Sequence, residues 1–280
     1  MKTETNTIKD GDIIAKDCCR CGASFQTPAY FLWEERRIGM EQSNCDQCTK
    51  IIEAENAAEA AERSRSEKEQ RKARNLEALK KHLAEKIPRL FQGTDSNHPS
   101  FNKERFKKIG NYRWTPEKPW LGLIGVAGKC KSRIAFMVAA EFLEYFTIED
   151  ESVPDFIFTN SDSINTAVGR QYDRRPGTAR NSYNHPTGTI GEEAKDFLLS
   201  LRDVDLLLID DLGKGGMTQA VAAEMFGLIN HRYSEQLPMI WTANSTPEEI
   251  ASSMRGDFTD DMRGPFAGRL AESSKIYQFK

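Results

Sequence analysis

Short solid runs of apolar residues alternate along this chain with longer stretches of helical spacing. Leu121–Ile124 is a fully apolar run and predicts a buried strand. A glycine-bearing turn follows it, and then apolar residues at Ile134, Met137, Val138 and Phe142 recur with the period of a helix. Asp155–Thr159 predicts a second strand, the aliphatic run within Val204–Gly213 a third, Met239–Asn244 a fourth and Lys275–Phe279 a closing one. Gln219–Tyr233 predicts a helix between the third and fourth. Apolar runs separated by helices predict an α/β fold with a parallel sheet covered on both faces.

Upstream the pattern changes. Residues 50 to 86 contain neither Gly nor Pro and are rich in Ala, Glu, Lys and Arg, which predicts one long helix. Its apolar positions are sparse until Leu76, Leu79 and Leu83, so the first half reads as a solvated connector. Ile87-Pro88 ends it. Residues 88–119 carry Pro99, Pro116 and Pro119 and read as irregular. The domain division expected is 1–50 for a small module, 51–87 for the charged helix and 88–280 for the α/β domain.

At 280 residues the chain is long enough for one medium domain of roughly 190 residues plus a smaller module. A net charge of −3 excludes a globally basic nucleic-acid coat and leaves room for a local basic patch. No apolar run reaches the roughly 20 residues of a membrane span. The beginning, MKTETNTIKDGD, lacks the apolar centre of a signal peptide. The expectation is a cytoplasmic protein with no membrane partner.

Five of the six cysteines lie between residues 18 and 48. Cys18 and Cys21 form one C-x-x-C pair, Cys45 and Cys48 a second. Each pair suits a tight knuckle turn, and four thiolates suit a tetrahedral structural Zn²⁺. Cys19 competes with Cys18 for the same place, and a redox dithiol is the alternative. The intervening FQTPAYFLWEERRIG is aromatic and β-prone, as a zinc-ribbon-like module requires.

The turn after the first strand reads Gly125-Val126-Ala127-Gly128-Lys129-Cys130-Lys131-Ser132. Strand, glycine turn, Lys-Ser and helix make the context of a phosphate-binding loop, in which backbone N–H groups and a helix N-terminus converge on nucleotide phosphates. Lys131 would neutralise the terminal phosphates and Ser132 would place its hydroxyl on Mg²⁺. Cys130 stands where glycine normally precedes the lysine, and its side chain is expected to tilt or narrow the loop. The third strand delivers Asp210 and Asp211 to its C-terminal end, where open α/β sheets place ligands. Asp210 is suited to Mg²⁺ and Asp211 to polarising an attacking water. Asn244 ends the fourth strand, within reach of a γ-phosphate or that water. Residues 170–191 interleave Arg170, Arg174, Arg175 and Arg180 with Tyr172, Tyr183 and His185, a composition that suits single-stranded nucleic acid and equally a surface insertion.

With these residues in place, the chain from about Ile87 to Lys280 resembles the AAA+ ATPases of the DnaC/DnaI helicase-loader group. GVAGKCKS, LLLIDDLG, AAEMFGLINHRY, LPMIWTAN and GPFAGRLAESSKIYQF carry the resemblance. It implies Walker A at Gly125–Ser132, Walker B at Asp210 and Asp211, sensor 1 at Asn244 and an arginine finger at Arg269 reaching a neighbouring subunit's nucleotide. It implies ATP as ligand, hydrolysis, self-association through the ATP interface, and partners in a DnaB-family helicase and single-stranded DNA. The cysteine cluster is similar in kind to the zinc module of the DnaI branch. Cys130 departs from the Walker A pattern, and no C-terminal sensor-2 arginine is evident. IstB-like transposition helpers share these motifs, and a nucleotide-binding adaptor with negligible hydrolysis is a further alternative.

Overall fold

The computed structural model describes residues 13–28, 32–33, 36–37, 43–92, 101, 103–110, 112, 114–115, 118–149, 152–179, 187–256 and 260–279. They form two compact units, Met1–Arg71 and Lys72–Lys280.

In the first unit, β1 (Ile13–Asp17) and β2 (Ser24–Pro28) pair antiparallel, with Ile13 opposite Pro28 and Asp17 opposite Ser24. β3 (Leu32–Trp33) and β4 (Arg36–Arg37) form a second short pair. The helix α1 (Asp46–Lys86) follows. Every residue from Glu53 to Arg71 is exposed, as expected of a helix whose sequence offers no apolar stripe there.

The second unit is built on α2 (Lys103–Gly110), β5 (Trp120–Gly125), α3 (Lys131–Glu149), β6 (Phe156–Asn160), α4 (Ser161–Arg170), α5 (Ile190–Asp203), β7 (Leu206–Asp210), α6 (Gln219–Ser234), β8 (Met239–Ala243), α7 (Pro247–Ser252), α8 (Asp260–Ser273) and β9 (Ser274–Phe279). The five strands form one parallel sheet in the order β6-β7-β8-β5-β9. Side chains alternate across it. Leu121, Leu123, Leu206, Leu208 and Ile240 face one layer, made by α3 with Leu79 of α1 and Ile109 of α2. Trp120, Leu207, Ile209, Met239 and Trp241 face the other, made by α4 to α8. Gly122 is fixed by packing, since a Cβ there would stand 2.5 Å from the Trp241 ring.

Two expectations need correction. Residues 88–119 are not wholly irregular: Lys103–Gly110 is helical, held by Ile109, which is 1% exposed in the core. The proline count masked that short amphipathic turn. The segment 170–191 is not wholly a loop either. Its described ends are cross-linked by Gly177 N–H to the Gly188 carbonyl at 2.8 Å and Ile190 N–H to the Arg175 carbonyl at 2.9 Å. A capping box between Thr189 and Glu192 then starts α5. Arg180, Tyr183 and His185 lie outside the described residues.

Candidate functional site

The glycine turn at 125–130 joins β5 to α3, and β5 is flanked by β8 and β9. Gly128 has φ 78° and Cys130 φ 56°, so the cysteine takes the left-handed conformation that glycine usually supplies. A residue with a Cβ in that conformation carries local strain. The Cys130 carbonyl accepts from Ile134 N–H at 3.0 Å, which starts the helix directly behind the turn.

A cavity of about 500 Å³ opens above this turn. Gly128, Lys129, Cys130, Lys131 and Ser132 line one side, Asp211, Lys214 and Asn244 another, and Phe91 and Arg133 complete it. Lys131 is 6% exposed. Its Nζ donates to the Val126 carbonyl and to Asn244 Oδ1, each at 3.0 Å. Burial pushes its pKa down against the pull of Asp211 and Asp210. A buried ammonium hydrogen-bonded to neutral oxygens suits an anionic ligand.

Asp210 Oδ1 accepts from Ser132 Oγ at 2.7 Å and from Thr242 Oγ1 at 2.5 Å. Thr242 Oγ1 in turn accepts from Asp211 N–H at 3.0 Å. One fully buried hydroxyl on β8 thus holds the Asp210 carboxylate and the backbone of Asp211. Ser161 Oγ donates to the Asp211 carbonyl at 2.8 Å and accepts from Gly213 N–H at 3.1 Å, pinning the turn beyond β7. The Asp211 carboxylate is ion-paired: Lys214 Nζ donates to its Oδ2 at 2.9 Å. Ser132 and Asp210 present adjacent oxygens, a donor set that fits Mg²⁺.

Of the residues in the sequence motifs, Lys131, Ser132, Asp211 and Asn244 line this cavity, and Asp210 is tied to it through Ser132 Oγ. Arg269 is not among its lining residues. Its guanidinium lies over the rings of Phe226 at 5.2 Å and Tyr233 at 5.6 Å on α6. Its Nη1 has no hydrogen-bond partner among the described residues. The sequence reading passed over Thr242, Ser161, Lys214 and Phe91. A threonine inside the apolar run MIWTA was the available signal for Thr242. Phe91 stacks on Phe136 at 4.9 Å, with Arg133 over its ring at 5.9 Å, a pairing no local pattern reveals.

In the first unit the ligand atoms of Cys18, Cys21, Cys45 and Cys48 all lie within 4.8 Å of one another. Cys21 Sγ and Cys45 Sγ are 3.8 Å apart, matching the separation of about 3.8 Å that tetrahedral Zn–S bonds of about 2.3 Å impose. The residues fit zinc. Cys18 and Cys21 flank the β1–β2 turn, whereas Cys45 and Cys48 sit at the start of α1 and not on a second hairpin. Burial raises the Cys18 thiol, but backbone groups of Cys21, Cys45 and Arg20 hold it down at about 6. Arg20 closes the cluster against α1 through two 2.6 Å bonds to Glu55. Cys19 is exposed and outside the cluster.

On the described part of 170–179, Tyr172 is 80% exposed with Lys195 Nζ over its ring at 5.6 Å. Arg174 is exposed, and Arg175 is bonded to Asp173 at 2.6 Å. No helix among the described residues is long and apolar enough to cross a membrane.

No family model matches the chain, and no curated protein matches it in sequence. Among solved structures it is similar to a crystal structure of DnaI, with 16% identity and a TM-score of 0.46, over 69% of this chain and 92% of that one. It is also similar to a crystal structure of the DnaC helicase loader, with 15% identity and a TM-score of 0.42, over 68% and 96%. A third is AMPPCP-bound DnaA from Aquifex aeolicus, with 17% identity and a TM-score of 0.41. That match covers 63% of this chain, which spans only 45% of the DnaA structure. The chain's own strand order and phosphate-binding turn give it a parallel-sheet P-loop fold of AAA+ type.

Proposed function

We propose that this chain is an ATP-binding and ATP-hydrolysing replication protein that loads a DnaB-family helicase onto single-stranded DNA. One observation carries the nucleotide part. The buried Lys131 ammonium, bonded to neutral oxygens, shares a cavity with Asp211 and Asn244, while Ser132 holds Asp210. In this reading the N–H groups of the turn and the N-terminus of α3 hold the phosphates, and Lys131 neutralises them. Ser132 and Asp210 would hold Mg²⁺, which would offset charge on the terminal phosphates. Asp211 polarises the attacking water and Asn244 orients it or the γ-phosphate.

The helicase and single-stranded DNA as partners, and the cytoplasm as location, rest on the motif resemblance described above. Arg269 would act across a subunit interface, which would require its guanidinium to swing away from the Phe226 and Tyr233 rings. Zinc would hold the Met1–Arg71 unit folded, since so small a module has little core of its own.

The experiment is ATP turnover measured alone, with single-stranded DNA, and with candidate DnaB-family helicases, together with co-purification of those helicases. Stimulated turnover and a stable complex are expected, with Lys131→Ala inactive. Stimulation of a transposase and not of a helicase would move the protein to the transposition helpers. The Lys214–Asp211 ion pair favours a second reading, a nucleotide-dependent adaptor with very slow turnover, and ATP binding without turnover in every mixture would establish it.

A further inference from the structure

Lys214 belongs to none of the motifs that outline the nucleotide site, yet it lines the same cavity as Lys131, Asp211 and Asn244. Its side chain is 57% exposed, and its ammonium is engaged by Asp211 Oδ2 at 2.9 Å. The carboxylate that would polarise the attacking water therefore has its charge compensated and one oxygen occupied. The backbone at this point is fixed independently of the side chain, by Lys214 N–H donating to the Asp211 carbonyl at 3.1 Å. The ammonium can thus exchange partners by rotating its four-carbon stem, with no change of the turn.

Besides Lys131, Lys214 and Asp211, the cavity is lined by Lys129 and Arg133, so its cations outnumber its carboxylates. That excess suits the terminal phosphate of a nucleoside triphosphate, a dense anion. The pair is weakened by solvent on the Lys214 side, and a phosphate group offers the ammonium more anionic oxygens than the carboxylate does. A diphosphate brings no such group to this end of the cavity.

We propose that Lys214 is a specificity-determining residue that distinguishes a nucleoside triphosphate from a diphosphate. Its ammonium leaves Asp211 for a γ-phosphate oxygen. The same exchange frees the Asp211 carboxylate, so the state with triphosphate bound is the state in which Asp211 is open. The inference rests on the nucleotide-binding reading of the cavity. It assigns to a cation from the chain's own turn a task that Lys131, already held between Val126 and Asn244, does not fill alone.

The test is calorimetric titration of the full chain with Mg²⁺ and either a non-hydrolysable ATP analogue or ADP. Wild type, Lys214→Met, Lys214→Arg and Lys131→Ala are compared, and thermal melts report whether each is folded. Lys214→Met is expected to lose about tenfold in affinity for the triphosphate, equivalent to about 1.4 kcal/mol, and less than about twofold for ADP. Lys214→Arg, which keeps the cation, should retain most of the discrimination. Equal losses for both nucleotides, or no loss for the triphosphate in Lys214→Met, would overturn the proposal while leaving the nucleotide site intact. Failure of wild type to bind either nucleotide, or wild-type affinity in Lys131→Ala, would instead overturn the nucleotide reading itself.

Discussion

Replacing Cys130 with glycine separates the strain of the phosphate-binding turn from the space its side chain occupies. At φ 56° a residue with a Cβ bears on the order of 1–2 kcal/mol of local strain. Glycine relieves that strain and gives back about 0.5–1 kcal/mol through the greater freedom of the unfolded chain. Some packing of the thiol against the neighbouring core is also lost. The expected net effect on stability is within about 1 kcal/mol of zero, or about 2–4 °C in the melting of a unit this size. Function should respond more. The backbone of the turn already has the glycine geometry, so binding, which depends on N–H groups and Lys131, should change little. Hydrolysis depends on placement of the γ-phosphate, where an error of about 1 Å costs on the order of 100-fold. Removing the thiol from the cavity wall should therefore raise kcat several-fold or more. Phosphate release at saturating ATP gives kcat, titration with a fluorescent nucleotide gives affinity, and a thermal melt gives stability. Turnover equal to or below wild type, or a melting temperature lowered by much more than the strain balance allows, would refute the reasoning. Cys130 would then be an adapted part of the turn.

Metal analysis of anaerobically purified protein should find about one zinc per chain. Cys45→Ser should lose the metal and unfold the first unit, and unchanged ATP affinity would check that the second unit is intact; protein without zinc would end the idea. Replacing Arg174, Arg175 and Arg180 with Ala should weaken single-stranded DNA binding and reduce the log–log salt slope by up to about 2. Arg175 is held by Asp173 and should contribute least, and an unchanged slope would return the segment to plain surface. Arg232 is fully buried and donates to the carbonyls of Leu201, Arg202, Val204 and Pro238. Burial lowers its pKa to about 10, so it remains charged at neutral pH. Arg232→Met strands those carbonyls and should cost about 3–5 kcal/mol in thermal or urea unfolding; a loss below about 1 kcal/mol would show that water replaces the guanidinium.

The strands were legible because a parallel sheet covered on both faces needs solid apolar runs, and Leu121–Ile124, Leu206–Ile209 and Met239–Trp241 are such runs. Asp210 and Asn244 stood out because they close apolar strands, and Lys131 because it opens the helix behind a glycine turn. The second rank of the site did not. Thr242 matters through one hydroxyl shared between the Asp210 carboxylate and the Asp211 N–H, and Lys214 through an ion pair across a turn. Both relations are three-dimensional and leave no periodicity. Of the other helices, α8 hides its stripe behind Pro265 and its glycines, whereas α5 offered a plain signal, with Ala194, Leu198 and Leu201 on one buried face behind the Thr189–Glu192 capping box. Arg269 was placed near the end of the chain by resemblance, but its stacking over Phe226 and Tyr233 needs the packing of α8 on α6.

The place of β5 between β8 and the edge strand β9 bears on how the protein is made. Trp120 is in register with Ser274 and Gly125 with Phe279, so the strand that carries the phosphate turn gains one of its two neighbours only from residues about 150 positions later. That contact is non-local, as is the pairing of β5 with β8, where Trp120 meets Met239. On the ribosome, a nascent chain holding every motif from Gly125 to Asn244 would still have an unpaired edge beside the phosphate turn. Nucleotide affinity should therefore appear abruptly once β9 leaves the exit tunnel, which would keep unfinished chains from competing for ATP.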